Sequence, residues 1–270
     1  MKKLMYFTLI LVLLSSICMF GAWSPVTQAT ESRYADAPVI SSVATTEIYF
    51  TSRDIVEERD TAGGAPSYYI NYGLANACGP LAGAEIVAFY DKYYSNLIPG
   101  WDSYYPATGK YRTQSTTYVQ PLVYELYDLM QTNVKGDGVS EGEFKTGLQQ
   151  YINNQGYSAS YTSVKSGTTL DYNACKTAID NNKVIALFTT PGDLYEIFEY
   201  SDHDLIGSFT IAGNHIMVAY GYLQIKYYNN SGLFRTDTYL KVATGQSVTS
   251  VAYYRVGTSN LEAAYVVNVS

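Results

Sequence analysis

The stretch NACGPLAGAEIVAFYDKYY, Asn76 to Tyr94, decides how the rest of the chain is read. Pro80 belongs in the first turn of a helix, where the N–H it lacks would have had no partner. The helix therefore opens within a residue or two of Cys78. Ala82, Ile86, Phe89, Tyr90 and Tyr93 recur at helical spacing, while Ala84 and Ala88 keep the opposite face small. Such a helix can be packed on several sides, which predicts that it is the central helix of the domain. A thiol at its N-terminus feels the positive end of the helix dipole, which favours the thiolate, the nucleophilic form.

A free cysteine is commonly just a small buried hydrophobe, so the case turns on a partner. The chain has only two histidines, and a Cys-His pair therefore has few ways to be built. His215 opens the apolar run HIMVAYGY, where Ile216, Val218 and Tyr220 alternate with Met217 and Ala219 as in a buried strand. His203, between Asp202 and Asp204 in YSDHDLIG, reads as a solvated loop residue. Without a second histidine nearby it makes a poor zinc set.

ACGPLAGAEIVAFYD followed far downstream by GNHIMVAYGY resembles the C39-like branch of the papain-like cysteine peptidases, and the likeness extends through Glu143 to Phe188. The resemblance implies a papain-like cysteine peptidase fold, with Cys78 as nucleophile, His215 as general base and a peptide or protein as substrate. No cofactor and no metal are expected. Relatives place a glutamine six residues before the cysteine, to steady the oxyanion; here Tyr72 stands there, with Asn71 beside it and Asn76 nearer the thiol. Asn71 and Tyr72 are the expected side-chain donors, beside the backbone N–H of Cys78 at the helix start.

The third member of the site should accept a hydrogen bond from the imidazole. Asn229 and Asn230 fall in YYNNSGLF, which reads as a hairpin turn, and fourteen extended residues from His215 span about 45 Å. Folding the hairpin about Asn230-Ser231 instead brings Thr244 to Gln246 opposite His215. Relatives resemble this segment but carry Asp or Asn at the place of Thr244. A hydroxyl from Thr244 or an amide oxygen from Gln246 is expected to orient the ring.

Met1 to Ala29 starts with Lys2 and Lys3, continues through LMYFTLILVLLSSICMF and ends in small residues, the anatomy of a secretory signal peptide cleaved near Ala29; an uncleaved membrane anchor is the competing reading. Ile17 before Cys18 is a poor match to a lipobox. Loss of the leader leaves Cys78 and Cys175, an even pair in a compartment that permits disulfides, so a Cys78–Cys175 bridge competes with the catalytic reading. Against it, Cys175 sits in a separate amphipathic helix with Leu170, Ala174, Ala178 and Ile179 inward.

The chain carries 24 acids against 17 Lys and Arg, and the leader takes away two lysines, so the mature protein is acidic. Nothing in it would neutralise phosphates, which disfavours nucleic acid as a partner, and no membrane contact is expected once the leader is gone. Residues 30–45 read as a flexible mature N-terminus and 46–270 as one domain. Thr51 to Ser67 suggests a short helix and then a loop. Thr117 to Thr132 is helical by the spacing of Leu122, Leu126 and Leu129. Ser140 and Glu143 make a capping box ahead of Phe144, Leu148, Tyr151 and Ile152, with Gly156 as stop. Asp137-Gly138 does not open a calcium loop, because Lys135 holds a ligand position. Helices first, then a buried strand at KVIALFTTP and a strand-rich end, predict α+β: a helical N-terminal part around the cysteine helix and an antiparallel β C-terminal part. The 29 tyrosines fit amphipathic surfaces or a peptide- or sugar-binding cleft. The chain is thus expected to be a secreted or cell-wall-associated cysteine peptidase. The alternatives are a catalytically degraded papain-like domain that binds peptide or glycan, and a cell-wall peptide amidase.

Overall fold

Helix α1, Cys78–Asp91, is buried along its whole length, Glu85 and Asp91 included. In this computed structural model, residues 31–36, 39–246 and 252–270 are described; the expected leader, 1–29, lies outside them. Three further helices follow among the described residues: α2 (Val119–Leu129), α3 (Glu141–Asn154) and α4 (Tyr172–Asp180). Helix α3 starts at the expected capping box, the Ser140 hydroxyl accepting from the Glu143 N–H while the Glu143 carboxylate accepts from the Ser140 N–H. Gly156 ends it at φ +87°.

The strands are β1 (Arg33–Tyr34), β2 (Val39–Tyr49), β3 (Ser52–Asp60), β4 (Tyr104–Tyr105), β5 (Lys110–Tyr111), β6 (Val139–Ser140), β7 (Ala159–Ser163), β8 (Lys165–Ser166) and β9 (Thr169–Leu170). Then come β10 (Ile185–Thr189), β11 (Gly192–Glu199), β12 (His203–Ile211), β13 (His215–Asn229), β14 (Gly232–Ala243), β15 (Ala252–Arg255) and β16 (Leu261–Val269). Ten of them form an antiparallel sheet in the order β2-β12-β11-β15-β14-β13-β10-β16-β7, with β3 also paired to β13. The protein is therefore mixed α+β.

Strand β13 organises this sheet. Its opening residues, His215 to Ala219, pair with β10, and Gly221 to Tyr228 pair with β3 on the same side. Its other side takes β14, with Asn229 opposite Gly232, so the hairpin turns at Asn230-Ser231 as the sequence predicts. Side chains alternate across the sheet. Ala186, Phe188, Ile216, Val218 and Tyr220 join α1, α2 and α3 in one core; Ile185, Leu187, Met217, Ala219 and Leu240 join Cys175, Ala178 and Ile179 of α4 in another. The apolar alternation read from HIMVAYGY thus corresponds to a strand covered on both faces.

Two expectations fail at the N-terminal end. Thr51 to Ser67 holds no helix: Ser52–Asp60 is a strand. Its charges find partners that no local reading could see, Glu58 and Asp60 on Lys241 (2.6 and 3.0 Å) and Arg53 on Asp204 (2.7 Å). The interval 30–45, expected to be flexible, contains β1 and most of β2, and the compact unit begins at Ser32 rather than at 46. The main-chain pairing of β2 comes from β12, more than 150 residues away in sequence, and needs no apolar signature in β2 itself.

Candidate active site

Cys78 is the first residue of α1, and a small hydrogen-bonded hub fixes the chain that delivers it. Asn133 donates from Nδ2 to the Ala75 carbonyl (3.1 Å) and to the Tyr127 hydroxyl (2.6 Å), which itself donates to Ala75 (3.1 Å). Its Oδ1 accepts from Asn76 Nδ2 (2.9 Å) and from the Gly138 N–H (2.6 Å). Asn76 stands at φ +59°, a left-handed conformation that asparagine tolerates, and so turns the chain into the helix. Val139 packs against the first turn: a Cβ on Gly79 would lie 2.5 Å from Val139 Cγ2. Any side chain at position 79 would push the wall away from the thiol.

His215 opens β13 opposite Thr189. Its Nε2 lies 2.6 Å from the carbonyl oxygen of Thr244. A carbonyl only accepts, so Nε2 carries the proton and, in the neutral ring, Nδ1 is the bare nitrogen. Nδ1 is buried without a hydrogen-bond partner, so no hydrogen bond joins it to the thiol. The chain after the hairpin brings Thr244 to the imidazole, and the acceptor there is its main-chain carbonyl rather than the Thr244 hydroxyl or the Gln246 amide. The Thr244 hydroxyl instead accepts the Gln246 N–H (3.1 Å) in a turn with Gly245 at φ +66°. Asn229, far along the strand from His215, accepts the Ser231 N–H in the hairpin turn.

Both candidate catalytic groups are closed off, Cys78 being 2% exposed and His215 0%. Burial, and then the negative charge of Asp36, push the Cys78 thiol up to about 12, against the pull of the backbone N–H groups of Ile216, Gly79 and Cys78 itself. Ile216 follows His215 directly, so its main chain brings the strand to the sulfur. Burial holds His215 below the ordinary histidine range, opposed by its bond to Thr244 and by Asp36. At neutral pH the site thus rests as thiol and neutral imidazole. The helix dipole favours the thiolate, and desolvation outweighs it here.

Asn71 and Tyr72 are not aimed at the thiol by any hydrogen bond. Asn71 Oδ1 accepts the Gly73 N–H (3.1 Å), and the Tyr72 hydroxyl donates to Ser115 (3.0 Å), so the pair closes a turn and ties it to the α2 approach. Tyr72 and Gly73 both have positive φ, which sets that turn. The residues that sequence reasoning missed are Asp36, Asn133, Asn214 and Glu85. Glu85, two turns along α1 from Cys78, accepts the Tyr68 N–H at 2.9 Å, and a Cβ on Gly245 would lie 4.0 Å from the Tyr68 carbonyl. It therefore anchors the segment beside the Thr244 turn. A polar residue mid-helix was the only signal for it.

Cys78 and Cys175 are both free, and they lie in separate cores on opposite faces of the sheet. His203 is not the solvated loop residue expected: it begins β12, stacked between Tyr49 and Tyr200 with Nδ1 on Asp202. Among the described residues no cluster of His, Cys, Asp and Glu could hold a metal, and no helix is long and apolar enough to cross a membrane. A pocket of about 260 Å³ is lined by Tyr90, Tyr93, Tyr94, Asn182, Lys183 and Asn268. It lies at the far end of α1 from the thiol. Scans of protein-family models, of characterised proteins and of solved structures each return no match.

Proposed function

We propose that the chain is an exported, papain-like cysteine peptidase acting through Cys78 and His215. The observation that carries this reading is the tautomer at His215: Thr244 holds the proton on Nε2 and leaves Nδ1 as a bare base beside the strand that meets the Cys78 sulfur. In the reaction, Nδ1 takes the thiol proton, the thiolate attacks the amide carbonyl, and the imidazolium then protonates the leaving amine. Water releases the acyl group by the same path reversed. The backbone N–H of Cys78 is the oxyanion donor that the site offers, and the carbonyl of Thr244 steadies the imidazolium less than a carboxylate would. The same chemistry serves a cell-wall peptide amidase, which differs in substrate and not in mechanism. Hydrolysis of a mixture of quenched fluorescent peptides by wild type, Cys78→Ala and His215→Ala tests the reading. Both variants should lose activity by at least a hundredfold while keeping the wild-type circular dichroism, and activity retained by Cys78→Ala would overturn it.

A second reading, a binding domain without catalysis, is favoured by the tyrosine- and asparagine-lined pocket at the end of α1, whose ring faces and amides suit a glycan. Glycan binding that survives Cys78→Ala, with no hydrolysis by wild type, would select it.

A further inference from the structure

The segment Ser32 to Asp36, sequence SRYAD, bridges the two walls between which the thiol and imidazole lie. On the helical wall, β1 pairs antiparallel with β6, Arg33 opposite Ser140 and Tyr34 opposite Val139, and Val139 is the residue that packs against Gly79 beside the thiol. On the strand wall, the Ala35 N–H donates to the carbonyl of Asn214 (3.4 Å), and Asn214 Nδ2 donates back to the carbonyl of Arg33 (3.0 Å). Asn214 immediately precedes His215. The segment thus joins one wall to the other by main-chain bonds, as an added strand does when a peptide is bound by its backbone.

Its side chains fill shaped sites. The Arg33 guanidinium donates to the carbonyls of Gly136 (3.2 Å), Asp137 (3.3 Å) and Gly138 (2.7 Å) and pairs with Glu143 at 3.0 Å. Gly138 stands at φ +72°, and a Cβ there would lie 1.7 Å from the Tyr34 carbonyl oxygen, so only glycine lets the segment seat this closely. The Tyr34 ring is 2% exposed, packs edge-on against Phe188 with centroids 5.1 Å apart, and donates its hydroxyl to Glu262. Ser32 donates to the other oxygen of Glu262 at 3.1 Å. Asp36 is close enough for its charge to act on both Cys78 and His215.

We infer that the groove across Val139–Ser140 and Asn214 is a peptide-binding groove, and that Ser32–Asp36 is its self-supplied occupant, a strap that must leave before Cys78 can react. The inference rests on the peptidase reading of Cys78 and His215 and names its substrate class: an extended peptide with a basic residue followed by tyrosine. Arginine is read by the carbonyl cluster of 136–138 with Glu143, and tyrosine by Phe188 and Glu262.

The test uses the full chain with Arg33→Ala or Tyr34→Ala, and measures alkylation of Cys78 by iodoacetamide through peptide mapping, with Cys175 as internal control. Tyr34→Ala should speed alkylation of Cys78 at least tenfold and Arg33→Ala severalfold, with Cys175 unchanged. Added acetyl-SRYAD-amide should slow alkylation of Tyr34→Ala again, and the same peptide with alanine for tyrosine should not. If Tyr34→Ala unfolds, Cys175 reacts as well, and Arg33→Ala then decides the matter. Unchanged Cys78 alkylation in a folded variant overturns the strap. The two readings fail separately: faster alkylation in Tyr34→Ala with no peptide hydrolysis by either wild type or that variant leaves the strap and removes the peptidase, whereas hydrolysis by wild type with unaltered alkylation in the variants does the reverse.

Discussion

Replacing Glu85 by glutamine alters the chemistry of one carboxyl group in the core and should change how stability depends on pH. Burial pushes the Glu85 carboxyl from 4.5 up to about 8, and the Tyr68 N–H opposes this. A folded-state value raised above the unfolded one gives stability that is fully present below the unfolded value and is lost as pH rises through the folded one. Across that window the folded chain binds one more proton than the unfolded chain, so stability falls by about 1.4 kcal/mol per pH unit from this group alone. Between pH 5 and 8 the loss is on the order of 4 kcal/mol. Glutamine keeps the acceptor for Tyr68 and cannot ionise, so in Glu85→Gln this contribution vanishes while every other titrating group stays. Urea unfolding of both proteins at pH 5, 6, 7 and 8 isolates it as a difference. The gap between the two should move in favour of the variant by roughly 3–4 kcal/mol from the lowest to the highest pH. Parallel curves would falsify the assignment and mean that water reaches the carboxyl.

Three further outcomes follow from the geometry. Thr244→Ala keeps the carbonyl that holds His215, so Cys78 alkylation should stay within about threefold of wild type, and a tenfold fall would mean that the hydroxyl matters. Ser140→Ala removes the cap of α3 and should cost about 1 kcal/mol in thermal or urea unfolding; no loss would mean that the capping box is not made in solution. Asp237, fully buried, accepts from Arg235 and Arg255, each at 2.7 Å. Both arginines are partly exposed, so Asp237→Asn should cost roughly 2–3 kcal/mol rather than the full penalty of a broken buried pair, and 0.5 M salt should narrow the difference.

The sequence is most legible where the signal is local. Pro80 and the small-apolar run locate α1, Ser140 and Glu143 locate the start of α3, and the strand-turn-strand pattern around Asn230-Ser231 sets a register that carries Thr244 to His215. What escapes is non-local. Strand β3 reads as a charged helix because the lysine partner of Glu58 and Asp60, and the aspartate partner of Arg53, lie elsewhere in the chain. Ser32 to Asp36 reads as a loose end because its bonds go to Gly138, Asn214 and Glu262. The acceptor for His215 is a main-chain carbonyl, a group every residue possesses, so the identity of residue 244 does not disclose it. The resting state of Cys78 escaped for a related reason: a helix terminus can be read from sequence, whereas the closure that desolvates the thiol cannot.

The long β13–β14 hairpin has a practical consequence for labelling. Its register is clamped close to His215 by β10 and β14, and further along by β3, while its tip at Asn229 to Gly232 is exposed and about 45 Å of strand away. Residues added between Asn230 and Ser231 lengthen the loop without shifting any pair below it, and loop-closure entropy grows only slowly with length. A short epitope or a fluorophore site placed there gives a handle on the protein whose own motions leave the histidine undisturbed.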